Sequence, residues 1–318
     1  MPNVTTTNQV SNGVDAYFAR ELLERPLPWY VYAMFADMKP LPSKMSGTIR
    51  FRRFTSLTPA TTALTEGVEP EGSLLQKTDT TASVSQYGDF VYLSDYLRAT
   101  SLENIVNETQ DLLLDQMGQT LNRIARTVLI AGDNVQYAST ATSTATVLAG
   151  YTLNSDELAE AVLTLKNGDA KEITRAINAG AGFNSTPIPM AFVLFASPST
   201  IRDLSKDPNW VSVVEYAQPE QRLGPWEVGA VIAGGWSVRV IDAGSDASTV
   251  ASTVTVHRSV LIGQYAYAMV DLDELSVQMI HQPATDPLKQ RESFGWKLAT
   301  VFKRQAEYAI VRIEHAVS

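Results

Sequence analysis

Apolar residues along this chain follow two periods. Between Thr100 and Gly132 they recur at steps of mostly three and four: Leu102, Ile105, Val106, Leu113, Met117, Leu121, Ile124 and Val128, with Thr109 in the longest gap. Such spacing draws one stripe down a helical face. It predicts a helix of about thirty residues and about 45 Å, against a mean globular helix of about 11–12 residues. Thr100 and Glu103 fit a capping box, with Gly132-Asp133-Asn134 as the stop. Acids Glu103, Glu108, Asp111 and Asp115 in the first half, and Arg123 and Arg126 near the end, complement the helix dipole.

The two-residue period of strands appears on both sides of this helix. Before it, Thr48-Ile-Arg-Phe-Arg-Arg-Phe54 alternates apolar and basic residues, and Thr81–Tyr87 and Asp89–Leu93 are strand-like too. Between them, Pro59–Thr80 is polar and carries Glu66, Glu69 and Glu71. Structureless loops beyond about 12–15 residues are uncommon in compact domains. The segment therefore predicts a long hairpin reaching away from the body, with a disordered loop as the alternative. After the helix, residues 133–153 read as a hairpin or loop. Asn154-Ser-Asp-Glu157 is a second capping box, opening a helix that Gly168 ends, and another short helix is expected from Ala170 to Ala179. Met190–Ala196 is continuously apolar, as in a strand buried on both faces. Pro198–Asp203 starts a helix, and Trp226–Ile232 and Trp236–Ile241 flank a tight turn at Gly234-Gly235. Strands follow at Val254–Ile262, Tyr265–Leu272, Leu275–His281, Trp296–Phe302 and Tyr308–His315, the last half-buried by its alternation.

At the N-terminus, residues 1–16 read as a polar arm and Asp15–Arg25 as a short helix closed by Pro26 and Pro28. Trp29–Met38 is apolar and aromatic, and needs burial against the body or a neighbouring subunit.

Composition narrows the function. An apolar content of 45% in 318 residues supports a large core or two interlocked domains. No apolar run is long enough to span a bilayer, and the polar start has no signal-peptide character. There is no cysteine, which excludes disulfides, thiolate metal sites and cysteine nucleophiles. The net charge of −9 argues against a broad basic footprint for nucleic acid. His257, His281 and His315 have no metal-binding spacing, and structural roles are expected for all three. Gly180-Ala-Gly182 lacks the third glycine of a dinucleotide loop, and Asp271, Asp273 and Glu274 read as a solvated turn. No catalytic, cofactor or metal site is expected. The charges of the hairpin are more informative: Arg50, Arg52 and Arg53 lie at its base, and Glu66, Glu69 and Glu71 toward its tip. Adjacent copies could pair base to tip in a heterologous, ring-closing contact, with Trp29 and Tyr30 as further intersubunit anchors.

The order of parts resembles the major capsid proteins of tailed double-stranded DNA bacteriophages, the Hong Kong ninety-seven fold. Within it, Thr48–Phe54, Leu64-Thr-Glu-Gly67, Ser83-Val-Ser-Gln-Tyr-Gly-Asp89, Asp286-Pro-Leu-Lys-Gln-Arg291, Gly295-Trp-Lys297 and Ala309-Ile-Val-Arg-Ile313 are similar to the bacteriophage N-four branch. The resemblance implies an α+β chain: N-terminal arm 1–44, extended loop 45–97, peripheral domain with spine helix 98–150, α/β axial domain 151–250, and returning peripheral strands 251–318. It implies hexamers and pentamers in an icosahedral shell that encloses the genome without sequence-specific binding. Such shells are assembled in the host bacterial cytoplasm and become part of the virion. Separate scaffolding, portal and decoration proteins would be partners, with no membrane. Lys77 matches no cross-linking motif. An encapsulin-like compartment shell, or a soluble α/β enzyme using scattered carboxylates, are the alternatives.

Overall fold

The computed structural model describes residues 31–42, 47–69, 72–101, 104–177, 187–216, 221–245, 247–251, 254–272 and 277–318. Strand β1 (Asp37–Leu41) is followed by β2 (Thr48–Phe54), β3 (Lys77–Ser83) and β4 (Ser85–Ser94), then by helices α1 (Asp95–Thr100) and α2 (Ile105–Ile130). The long helix is thus present but starts later than its pattern predicts. Thr100 closes α1 and turns its hydroxyl back to the Tyr96 carbonyl at 2.7 Å, so it caps nothing. Ser101 leaves the helix in extended conformation, and Asn104 caps α2 by accepting from the Asn107 N–H. Leu102 and Glu103 lie outside the described residues.

The stripe is real. Thr109, Leu113, Ala125 and Leu129 are buried, and Thr109 quiets its hydroxyl on the Ile105 carbonyl at 2.7 Å. The expected dipole pattern holds at one end only, with Glu108 in the first turn. The last turn of α2 contains no basic residue. Its terminal carbonyls are met from outside, Val128 by Arg304 at 3.3 Å and Ile130 by Arg312. These side chains satisfy acceptors that every helix C-terminus leaves open. Beyond it the Asp133 N–H donates to Glu307, and the Asn134 amide to the Ile310 carbonyl.

The remaining elements are β5 (Val135–Tyr137), α3 (Ser155–Asn167), β6 (Ala191–Ala196), α4 (Pro198–Leu204), β7 (Trp210–Ser212), α5 (Val213–Tyr216), β8 (Glu227–Ala233), β9 (Trp236–Asp242), β10 (Thr249–Ala251), β11 (Val254–Ile262), β12 (Tyr267–Leu272), β13 (Gln278–Gln282), β14 (Arg291–Arg304) and β15 (Ile310–His315). They build an eight-stranded sheet in the order β5-β15-β11-β6-β9-β8-β7, with β10 beside β11. A five-stranded sheet runs β1-β12-β14-β13, with β4 also on β14. The hairpin β2–β3 stands as its own sheet. The returning segment is therefore shared: β12, β13 and β14 complete the smaller sheet, while β11 and β15 enter the larger one, β11 pairing directly with β6.

The large sheet holds the main core, with Leu158, Ala161, Val162 and Leu165 of α3, Ala125 and Leu129 of α2, and Ile201 and Leu204 of α4 packed on it. All six residues of β6 are buried, so both of its faces are covered, as its unbroken apolar run predicts. The β8–β9 turn uses Gly234 and Gly235 at φ +56° and +87°, the left-handed pair of a tight hairpin. Asn154 caps α3 by accepting from the Glu157 N–H at 2.9 Å. Half of the expected box forms, because the Glu157 carboxylate is drawn instead to the Ser139 N–H and the Gln136 amide.

Two expectations fail. The helix predicted from Ala170 is absent in the described part, to Ile177. Ile173 and Thr174 donate to the Ala191 carbonyl and Ile177 bridges Ile188, so the segment finds its backbone partners across the chain rather than within a helix. β15 is not half-buried: Ile310, Val311, Ile313, Glu314 and His315 are all buried. Its polar face is buried because Glu314 is neutralised in place by Arg258 and Arg312, each at 3.1 Å, and by the Thr144 hydroxyl. The aromatic N-terminal stretch packs on its own body where it is described. Tyr32 is buried, its N–H on Asn122 of α2 at 2.9 Å and its ring 4.9 Å from Phe195. The polar arm, the Asp15–Arg25 helix, Gly180-Ala-Gly182, Asp273 and Glu274 lie outside the described residues.

Candidate assembly interface

Two surfaces among the described residues carry large apolar side chains that the chain itself leaves in solvent. The first is the hairpin. β2 and β3 pair from Thr48↔Ser83 to Phe54↔Lys77, so Ile49, Phe51 and Arg53 share a face with Thr78, Thr80 and Ala82. This face meets the body: Ala82 is buried, and the Arg53 guanidinium sits 5.0 Å over the Tyr308 ring. Past that contact a cleft of about 480 Å³, lined by Phe51, Arg53, Thr78, Tyr265 and Gln305 among others, separates hairpin from body. Arg50 and Arg52 point the other way. They approach Asp79, the residue facing Arg52 across the ladder, at 3.8 and 2.9 Å. The Arg52 hydrogen bond holds the Asp79 carboxyl below the usual carboxylate range.

Asp79 is a residue that sequence reasoning missed. It became visible only with the register, since three arginines and one aspartate 27 positions away have no local spacing to connect them. The intersubunit candidates Arg50 and Arg52 thus already share an acid within their own hairpin. Beyond the ladder, residues 55–69 and 72–76 are irregular and exposed throughout. Leu64 is 78% exposed, Leu74 85% and Leu75 72%, with Leu57 and Val68 alongside. Glu66 and Glu69 are on this tip, in and just past a turn closed by the Val68 N–H on the Thr65 carbonyl at 3.2 Å. Glu71, Trp29 and Tyr30 lie outside the described residues.

The second surface is the outer face of the small sheet. On its inner face Leu93, Phe294, Trp296 and Leu298 pack against Leu113, Met117 and Leu121 of α2. Asp89 reaches α2 as well, accepting from Gln116 at 2.6 Å, and the Trp296 indole donates to the same glutamine at 3.0 Å. On the outer face the register sets Phe90 beside Gly295 and Gly295 beside Ile280, with Tyr92, Ser293 and Gln282 in the adjacent row. Phe90 is 56% and Tyr92 62% exposed, and their rings meet edge to face at 5.0 Å. A side chain at Gly295 would lie 2.8 Å from the Phe90 Cβ, so only glycine fits, and a hollow of about 370 Å³ opens there. The sequence signal was present: β4 has aromatic residues at both parities, and a single helix covers one face only.

The three histidines lie apart from these two patches or at their inner side. His315 is buried, with Nδ1 donating to the Ala316 carbonyl and Nε2 paired with the Ser259 hydroxyl, each at 2.9 Å. His257 stacks on it at 6.1 Å, and His281 lies 4.4 Å over Phe294. Among the described residues no group of three His, Asp or Glu side chains could hold a metal ion. None of their helices is long and apolar enough to cross a membrane.

What this arrangement can do is associate. Contiguous apolar patches beyond a few hundred Å² are unusual on monomeric proteins. Each exposed Leu or Phe that becomes fully buried contributes about 1.5–3 kcal/mol.

No protein-family profile matches the sequence. No curated protein matches it either. The fold does have relatives among solved structures. The capsid of Ralstonia phage GP4 superposes with a TM-score of 0.71 at 13% identity, covering 100% of this chain and 99% of that one. The head structure of Helicobacter pylori bacteriophage KHP40 gives 0.66 at 12%, covering 100% and 98%. The capsid asymmetric unit of cyanophage Pam1 gives 0.62 at 14%, covering 100% and 99%. From its exposed hairpin to the last strand, this chain has the tailed-phage major capsid fold, the Hong Kong ninety-seven fold.

Proposed function

We propose that the chain is a major capsid protein, which assembles into hexamers and pentamers of an icosahedral shell around a phage double-stranded DNA genome. The observation that carries this reading is the end-to-end match to capsid chains. It is supported by the apolar tip and the uncovered sheet face, which are surfaces of a subunit rather than of a finished monomer. In this reading residues 45–97 are the extended loop, α2 is the spine helix, and the small sheet with α2 is the peripheral domain. The large sheet belongs to the axial domain, with β11 and β15 joined to it.

The hairpin tip would lie over a neighbouring copy, with Leu64, Leu74 and Leu75 buried in the contact. Glu66, Glu69 and Glu71 would face Arg50, Arg52 and Arg53 of the next copy, and Trp29 and Tyr30 would serve as further anchors on a neighbouring subunit. Repetition around a ring makes the assembly stable, since one exposed ion pair contributes little. Portal, scaffolding and decoration proteins would be its partners in the virion.

The test is electron microscopy and sedimentation of the purified chain, first alone and then with lysate from its native source. Closed shells, or rings of five and six, are expected. A chain that stays monomeric in both settings refutes the proposal. Deleting residues 60–78 is expected to leave the body folded and abolish the shells; normal assembly of that variant would remove the hairpin from the account.

A further inference from the structure

Gln119, Asn122, Arg123 and Arg126 share one side of α2, at steps of three, one and three. They form one wall of a cavity of about 410 Å³ whose other wall is Pro198, at the start of α4, and the Ala243-Gly244-Ser245 turn after β9. That volume is within the range of small-ligand sites, about 300–1,000 Å³. Among the described residues of the lining, both charged ones are arginines, in a chain of net charge −9. Arg126 is held in place, its Nη1 donating to the Ser245 carbonyl and hydroxyl at 3.4 and 3.2 Å. Arg123 is exposed to solvent. Neither serves the helix end, because that role falls to Arg304 and Arg312. Arginines three apart on a helix have Cβ atoms about 5–6 Å apart, so the exposed Arg123 fork can reach a group in the cavity while Arg126, fixed on Ser245, adds its charge beside it.

We propose that this cavity binds a phosphate group of the DNA backbone. Guanidinium forks match the several acceptor oxygens of a phosphate in a way that single ammonium charges do not. The amides of Gln119 and Asn122 and the Ser245 hydroxyl line the same space and enrich it in hydrogen-bonding groups. The DNA part of this assignment rests on the shell reading, and it makes this face of α2 the genome-facing one. A chain whose net charge repels nucleic acid would then hold it at discrete points, with low affinity per copy and many copies.

The probe is a short labelled DNA duplex, followed by anisotropy at two salt concentrations, beside melting curves in inorganic phosphate and in chloride at matched ionic strength. The chain is used whole, as wild type, Arg123→Glu and Arg123→Lys. Because Arg123 is exposed, both variants are expected to melt with the wild type when phosphate is absent. Arg123→Glu should weaken duplex binding by about tenfold or more, and Arg123→Lys should keep most of it. The slope of log K on log salt should fall by about 0.9 for the lost contact. A melting response to inorganic phosphate with no duplex binding assigns the cavity to the free ion and overturns the proposal. Equal behaviour of wild type and Arg123→Glu toward both ligands removes the site altogether. Shells are scored separately by microscopy: duplex binding that depends on Arg123 in a chain forming no shells, alone or with native lysate, would refute the shell reading and keep the site.

Discussion

Strand β6 of the large sheet and strand β4 of the small sheet meet opposite conditions. Every residue of β6 is buried, whereas β4 hides Leu93 and leaves Phe90, Val91 and Tyr92 in solvent. Neither difference lies in apolar content alone. β6 has sheet neighbours on both sides, β11 and β9, and the main core packs around it. Among the described residues β4 pairs only with β14 and packs its inner face on α2. The lesson concerns division of labour. The large sheet encloses its apolar area in its own core, whereas the small sheet and hairpin leave theirs in solvent, where the proposed shell would place another copy.

The buried charges sharpen the contrast. In the large sheet Glu227 and Arg239 are almost fully enclosed, and Glu227 also accepts from the Tyr216 hydroxyl and the Leu223 N–H. The Arg239 guanidinium reaches the Gln221 carbonyl at 2.9 Å. One carboxylate and one guanidinium thus tie both flanks of the 217–220 segment to the β8–β9 hairpin. Burial, with Glu227 beside it, pushes the Tyr216 hydroxyl far above its ordinary value. In the hairpin, the chemically similar Arg52–Asp79 pair lies open to water.

The largest expected effect follows from breaking the enclosed pair. Glu227→Ala should cost about 3–5 kcal/mol, because it strands the Arg239 charge in the interior. Urea unfolding of the isolated chain reads this directly, and a loss below about 1 kcal/mol would show that water reaches the pair. Next come truncations in the two sheets. Leu194→Ala in β6 should cost about 2–5 kcal/mol. Phe90→Ala should cost under about 1 kcal/mol, since it loses mainly its edge contact with Tyr92. The same Phe90→Ala chain should fail to form shells, so assembly and stability respond in opposite order at the two sites. Equal losses of stability would erase the distinction between the sheets.

A smaller effect is expected in acid. Burial alone would raise Asp207, but the N–H groups of Asn209 and Ser155, at 2.9 and 2.8 Å, outweigh it and hold its carboxyl below the usual range. A carboxyl lowered in the folded state stabilises above its unfolded value of about 3.9, and that stability is lost as pH falls further. Wild type should therefore lose stability below about pH 4 more steeply than Asp207→Asn; parallel pH profiles would exclude the contribution. The smallest effect belongs to Arg52→Ala, which should leave the melting temperature of the body unchanged. Hydrogen exchange should show faster opening confined to β2 and β3, and faster exchange in the large sheet would contradict the independence of the hairpin.

Much of the architecture was legible from spacing, because helices and strands impose periods on any buried face. The stripe of α2, the unbroken run of β6, the Gly234-Gly235 turn and the alternation of β2 each state a local requirement, and the structure meets all four. Where the requirement was non-local, the sequence was silent or misleading. Thr100 reads as a cap but Asn104 performs the role, because the choice depends on where the chain turns after α1. Glu314 reads as solvent-facing, yet arginines from two strands let it be buried. Asp79, the hollow at Gly295 and the Arg123–Arg126 cavity depend on register and on helix placement, which set distances between residues remote in the chain. Periodicity is a property of one element at a time, whereas charge pairing and cavity shape are properties of several elements brought together, and only the tertiary structure brings them together.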